Sequence, residues 1–237
     1  MTATSSLIYI FIARLEVLLS PSNFGHYAVR VRGPFACFTR PEFKTERLSY
    51  EVLTPSAARG LLEAILWKPA IYWHIRRIRL LSPVRFVQFK RNEVNTRIPT
   101  GKAVTASRTG TGMDDYFADE DRAQRNTVAL RDVDYAVDAE MAMTPRAGSE
   151  DNPKKFDEMF RRRLERGQFH MQPYLGCREF AAIVEPYLGD PPPLENESRD
   201  LGLMLHDIRY SKARNEAVFF HAKLDKGAIE IPEWRAA

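Results

Sequence analysis

Residues 33–69, GPFACFTRPEFKTERLSYEVLTPSAARGLLEAILWKP, decide how the chain is read. The stretch reads as the end of a strand, a long basic loop, a capped helix and an abrupt stop. Thr54 is placed to accept from the orphan amides of a helix beginning at Pro55, a residue tolerated in the first turn because the N–H it lacks has no partner there. Ala58, Leu61, Leu62, Ile65 and Leu66 follow at the spacing of one apolar stripe. Lys68-Pro69 ends the helix, since proline biases the residue before it away from helical dihedrals. A helix with one such stripe has to lie on a sheet, with the segment from Phe35 to Arg47 presented beside it.

Upstream, Tyr27, Val29 and Val31 alternate with Ala28, Arg30 and Arg32, the period of a half-buried strand running from His26 to Phe38. Downstream, AIYWHIRRIRLL at 70–81 is a second strand, with Ile71, Trp73, Ile75, Arg77, Arg79 and Leu81 on one parity. VRFVQFKRNEV at 84–94 continues as a strand after Pro83. Residues 99–127, rich in Gly, Thr, Ser and charge, read as a long loop or insertion with an acidic end. Alternation returns through Val133, Tyr135, Val137 and Ala139. Asn152 before Pro153 signals a second helix with Phe156, Met159, Phe160 and Leu164 inside and Lys155, Arg162 and Arg166 on a basic face. Gly176 before Cys177-Arg178-Glu179 marks a tight turn where an RNA backbone can approach. LGLMLHDIRY and AVFFHAKLDKGAIEIPEW close the chain as strands, with a turn at Asp225-Lys226-Gly227. The order predicts an α+β fold: a ferredoxin-like, RNA-recognition-type core over 25–170 with a long insertion, and an added antiparallel β subdomain over 171–237.

Residues 1–24 are expected to be an appended segment. Its apolar run LIYIFIARLEVLL is interrupted by Arg14 and Glu16, too short and too charged to span a bilayer, and MTATSS supplies no basic region of a secretory signal. Over the 237 residues, 44% are hydrophobic, enough for a packed core. Residues 68–97 hold eight Lys or Arg against the single Glu93, a concentration of positive charge in a chain whose net charge is only +4. Such a cluster is either the footprint of a phosphate backbone or a solvated basic face. Aromatic rings interleaved with Arg and Lys suit nucleic acid, because bases stack on rings while guanidinium groups meet phosphates, although Trp73 or Phe86 taken alone is better read as core. Cys37 and Cys177 are too few for a disulfide framework or a four-ligand zinc site, which fits a reduced, cytoplasmic protein. The histidines show no metal-ligand spacing, so neither metal nor cofactor is expected.

The blocks GPFACFTRPE, LSYEV, TPSAARGLLEAI and WKPAI, then RNEV at 91–94 and YLGCREF at 174–180, resemble the fifth CRISPR-associated protein family in its subtype I-C (Dvulg) form, a branch of the RAMP superfamily. The blocks come in the family's order and cover roughly residues 26–234. The resemblance implies a ferredoxin-like protein that binds CRISPR repeat RNA, usually cuts it, and stays on the 5′ handle of the mature guide RNA. The partners it implies are the backbone and large subunits of the type I-C Cascade complex, with DNA as a further candidate and no membrane.

Cutting RNA without metal requires the 2′-hydroxyl beside the scissile phosphate to lose a proton and attack, while the phosphorane charge is stabilised and the leaving 5′-oxygen is protonated. Members of the family that process repeat RNA carry Tyr or His just before WKP and a Lys-His pair opening the second helix. Here Leu66 occupies the first position, Lys154 matches the lysine, and Lys155 stands where histidine is expected. Leucine is neither acid nor base, and a lysine supplies charge more readily than it accepts a proton at neutral pH. Tyr50, Tyr72 and His170 are alternatives that the sequence does not separate. RNA contacts are expected from Arg40, Lys44, Arg47 and Tyr50 along and after the basic loop, from Trp67, Lys68, Arg76, Arg79 and Arg91 in the charged cluster, and from Arg162 and Arg178. A subunit that binds the handle without cutting, and a basic module unrelated to CRISPR, are the competing readings.

Overall fold

The computed structural model describes residues 23–43, 45–96, 98–112, 117, 119–209 and 215–233. Lys44 and most of the segment expected to be appended lie outside the described residues. One long strand organises the rest. β5 (Arg122–Met143) pairs through its first half with β4 (Phe86–Val94) and with the short parallel strand β2 (Arg47–Leu48). Through its second half it pairs antiparallel with β1 (Asn23–Ala36) on one side and β3 (Ile71–Leu80) on the other. β6 (Ile183–Pro186) joins the outer edge of β1 and β9 (Ala228–Glu230) the outer edge of β3, giving the order β6-β1-β5-β3-β9.

α1 (Pro55–Ile65) connects β1 to β3, and α3 (Pro153–Glu165) connects β5 to β6. Counted along the chain, the four core strands therefore stand fourth, first, third, second, every neighbour antiparallel, which is the ferredoxin-like arrangement with both crossovers on one face. α1 forms where its sequence predicts: Thr54 Oγ1 accepts from the Ala57 amide at 3.3 Å, and Ala58, Leu61, Leu62 and Ile65 are buried. Burying each of these larger side chains contributes about 1.5–3 kcal/mol before entropy is counted. α3 buries Phe156, Phe160 and Leu164, with Met159 half-buried beside them. Trp73 and Tyr27 from the sheet pack on Phe160, with ring centroids 4.5 and 4.8 Å away.

Three features depart from the sequence reading. The parity expected for β3 breaks at a bulge between Ile75 and Arg77, so Ile78 and Leu80, not Arg79 and Leu81, continue the buried face of Ile71, Trp73 and Ile75; the extra residue leaves both Arg76 and Arg77 outside the core. The stretch expected to be a loop contains α2 (Thr100–Thr109), which buries none of its residues and is closed by Gly110 in the left-handed conformation. β5 also begins at Arg122, earlier than its apolar alternation, because backbone pairing with β4 extends to Val94.

Beyond α3, β6 and β9 lie in the main sheet, while β7 (Arg199–Arg209) and β8 (Glu216–Leu224) pair into a separate ribbon. The ribbon is fixed to α1 by a buried charge pair: Arg59 donates to both carboxylate oxygens of Asp207 at 2.9 and 2.8 Å, and the Tyr72 hydroxyl donates to the same group at 3.2 Å. The turn before β9 uses Lys226 and Gly227 with φ of 48° and 74°. A Cβ at Gly227 would stand 2.5 Å from the Leu194 carbonyl oxygen, so glycine is required there for space as well as for conformation.

Candidate functional site

The end of α1 and the start of α3 form the site that the family positions single out. At Leu66 the chain turns extended, and the last three carbonyls, of Ala64, Ile65 and Leu66, each find a donor. Ala64 accepts from the His170 amide at 3.0 Å, Ile65 from Arg163 Nη1 at 2.8 Å, and Leu66 from Trp73 Nε1 at 3.1 Å. The Arg163 guanidinium also complements the negative end of the helix dipole. Leu66 is 0% exposed, so the position at which the resemblance leads one to expect Tyr or His is here part of the core. Trp67 turns out of it, with 54% of its surface exposed, and Lys68 follows it into solvent.

At the other end, the Asn152 side chain accepts from the Lys155 amide at 2.9 Å and starts α3 at Pro153. The Lys154 side chain is 85% exposed, and its nearest carboxylate, Glu158, is 3.8 Å away. Lys155 is more constrained: its ammonium stands 3.3 Å from Asp151 and 5.5 Å over the Phe156 ring. The Asp151 carboxyl is held below the usual carboxylate range, first by the Gly148 amide, then by Lys155 and Lys68. Lys68 and Lys155 thus both favour the charged form of the Asp151 carboxyl. An ammonium salt-bridged to a carboxylate acts as a fixed charge and hydrogen-bond donor.

The remaining expected contacts fall into paired and unpaired groups. On the sheet face away from the helices, Arg76 meets Glu140 at 2.7 Å, Arg79 meets Asp138, and Arg30 meets Asp134 at 2.6 Å. Around the loop after Gly176, Arg47 meets Glu93 at 2.9 Å and Glu179 at 3.6 Å, and Arg91 also meets Glu179. Arg40 is 3.7 Å from Glu42 and lies over the Tyr50 ring. Lys68, Arg162 and Arg178 have no ion-pair partner among the described residues.

Two expectations need correction. Tyr50 is buried, its ring in the core beneath Arg40, and has no face to offer RNA. Gly176 is explained by packing: its φ is +81° and a Cβ would stand 2.1 Å from the Cys37 carbonyl oxygen, so the close approach is to this chain's own backbone. Of the alternative acid–base groups, Tyr72 donates to Asp207 and burial raises its pKa. His170 is exposed on the turn that caps α1. The pairing of the sheet arginines and the capping role of Arg163 were missed, because both depend on residues far away in the chain. No helix among the described residues is long and apolar enough to cross a membrane.

Comparison with known proteins places this geometry in a family. A family model described as CRISPR-associated protein (Cas_Cas5), in its Cas5d form, matches residues 26–232. A protein of Mannheimia succiniciproducens named CRISPR pre-crRNA endoribonuclease Cas5d is 44% identical over 217 residues, 88% of this chain and 95% of that one. One of the same name from Thermus thermophilus is 40% identical over 222 residues, 86% of this chain and 90% of that one. Among solved structures, a CRISPR-associated protein aligns with a TM-score of 0.67 at 19% identity, covering 90% of this chain and 95% of that chain. A functionally uncharacterised protein from Streptococcus mutans aligns with a TM-score of 0.65 at 20% identity, with the same coverage. A family model spanning nearly all of the described residues, two relatives at this identity and a shared fold lead to one conclusion: the chain belongs to the Cas5 family of CRISPR-associated proteins, in its Cas5d, subtype I-C form.

Proposed function

We propose that this chain binds the repeat of precursor CRISPR RNA, cuts it to guide RNA by attack of the internal 2′-hydroxyl, and stays on the 5′ handle within the cytoplasmic type I-C interference (Cascade) complex. The observation that carries the reading is end-to-end likeness to two proteins named pre-crRNA endoribonucleases, at 44% and 40% identity. In this reading residues 25–170 form most of the RNA-binding core, β6 from the following segment completes its four strands, and the rest of residues 171–237 packs on it, adding β9 to the sheet edge. Trp67 offers a ring for an unpaired base, and Lys68, Arg162 and Arg178 meet phosphates. Lys154, held in solvent at the start of α3, supplies the charge that stabilises the phosphorane. Lys155 supplies a second charge fixed by Asp151.

A second reading, a handle-binding subunit that does not cut, is favoured by one specific observation. The position of the family's Tyr or His is the buried Leu66, and its histidine is replaced by Lys155. Incubating the purified protein with labelled repeat RNA in excess EDTA separates the two. The first reading expects a single cut leaving a 2′,3′-cyclic phosphate, abolished by one 2′-deoxy substitution at the scissile nucleotide. Tight binding of uncut RNA establishes the second, and absence of both binding and cutting overturns both.

A further inference from the structure

Cys37 and Cys177 are 140 residues apart in the chain and side by side in the fold. Cys37 follows β1, and its amide donates to the Leu175 carbonyl at 3.0 Å. Cys177 lies just past the Gly176 turn, where the two backbones approach too closely to admit a Cβ. The Cys177 thiol reaches toward the Cys37 carbonyl at 3.8 Å, and the Cys37 sulfur is 3.6 Å from Thr39 Oγ1. Arg47 Nη1 donates to the Cys177 sulfur at 3.1 Å.

This geometry makes the two sulfurs unequal. The neighbouring Cys37 thiol and the Arg47 guanidinium hold the Cys177 thiol below its usual range against the opposing effect of burial. The Cys37 thiol is pushed up by the neighbouring Cys177 sulfur and by burial. A thiolate beside a guanidinium, with a second thiol in contact, has the two parts of a reversible redox pair: an attacking sulfur and a resolving one.

We propose that Cys37 and Cys177 are a peroxide-oxidisable dithiol that closes to a disulfide between the end of β1 and the loop after Gly176. The Cys177 thiolate attacks one oxygen of hydrogen peroxide and the O–O bond breaks. The departing hydroxide takes a proton to become water and leaves a sulfenic acid. The Cys37 thiol gives up its proton, its sulfur attacks the Cys177 sulfur, and the S–O bond breaks to release a second water. Two thiols lose two electrons in total, and one peroxide is reduced to two waters. An S–S bond is ~2.05 Å long, and the Cys177 sulfur already lies 3.8 Å from the backbone carbonyl of Cys37. Closure ties the segment bearing Arg178 and Glu179 to β1 and removes the anionic sulfur that faces Arg47.

The test uses the full-length protein, treated with dilute hydrogen peroxide and quenched by alkylation of remaining thiols. Peptide mass mapping without reductant should find the Cys37 and Cys177 peptides joined and lighter by two hydrogens, with dithiothreitol restoring both. Because the bond closes a long loop, the thermal midpoint should rise by on the order of 10 °C. In Cys37→Ala, oxidation should stop at a Cys177 sulfenic acid trapped by dimedone, and Arg47→Met should slow oxidation of the wild-type pair several-fold. Two alkylatable thiols remaining after peroxide, or a disulfide that joins separate chains, overturns the proposal, and both are read on the unmutated protein.

Discussion

The division of surface cations into paired and unpaired groups makes a quantitative prediction about RNA binding. Arg162 and Arg178 have no ion-pair partner among the described residues, whereas Arg79 is bound to Asp138 on the neighbouring strand. Each cation that displaces counterions from phosphate contributes about 0.7 to the slope of log affinity against log salt on a single strand and about 0.9 on a duplex. Arg162→Gln with Arg178→Gln should therefore flatten the slope by about 1.4 to 1.8. Between 50 and 200 mM salt this difference changes the ratio of parent to variant affinity by about seven- to twelvefold. The control is Arg79→Gln with Asp138→Asn, which removes a charge pair without altering net charge and should leave the slope where it was. Fluorescence anisotropy of labelled repeat RNA across a potassium chloride series measures both, with a 2′-deoxy scissile nucleotide keeping the RNA intact. An equal flattening by the two double variants would refute the reasoning, because it would mean that the sheet-face pairs open to meet phosphate.

Lys154→Ala should slow cleavage by about 10²- to 10³-fold in single-turnover assays while leaving affinity nearly intact, since a charge at the phosphorane is worth about 2.7–4 kcal/mol but is one of many cations in binding; an unchanged rate would place the chemistry elsewhere. Leu66→Tyr with Lys155→His restores the family's groups and should raise the rate of the folded fraction, while urea melts show a loss of about 1–3 kcal/mol from overpacking a buried position. Asp207→Asn should cost about 3 kcal/mol in urea melts, because it leaves the Arg59 charge with Glu63 alone, and Arg59→Met with Asp207→Leu should recover most of it; strict additivity of the two single changes would show that the pair is not coupled. His74 is held below its usual 6.5 by burial and by Arg76, so the unfolded chain binds the extra proton first as pH falls. Stability should thus be full above about pH 6.5 and decline below it, and His74→Gln should flatten that decline in melts from pH 7.5 to 5.

Elements that carry their own signal were legible in the sequence. Thr54-Pro55 with its apolar stripe and Asn152-Pro153 with Phe156 and Phe160 gave both core helices, because cap and buried face are local properties. α2 was not legible: Thr100–Thr109 buries nothing and so has no stripe to read. The bulge in β3 was equally hidden, since an inserted residue is a matter of pairing with β5 and leaves no mark in one strand. At the candidate site, Trp67, Lys68 and Lys154 are exposed, and the place of Leu66 in the apolar stripe already pointed to its burial. The neutralisation of Arg76 and Arg79 could not be foreseen, because Glu140 and Asp138 reach them only through the β3–β5 register.

The pairing of β1 with β5 also bears on how the protein is made. β1 is among the earliest described segments to leave the ribosome, yet its partners, from Leu130 to Ala142, are synthesised about a hundred residues later. At roughly 5–20 residues per second, the strand waits on the order of 5–20 s with Tyr27, Val29 and Val31 uncovered. Its other neighbour, β6, arrives later still. A nascent chain in this interval presents both edges of an apolar strand to other chains, and its yield in cells should respond to translation rate and chaperone supply more than to the stability of the finished fold.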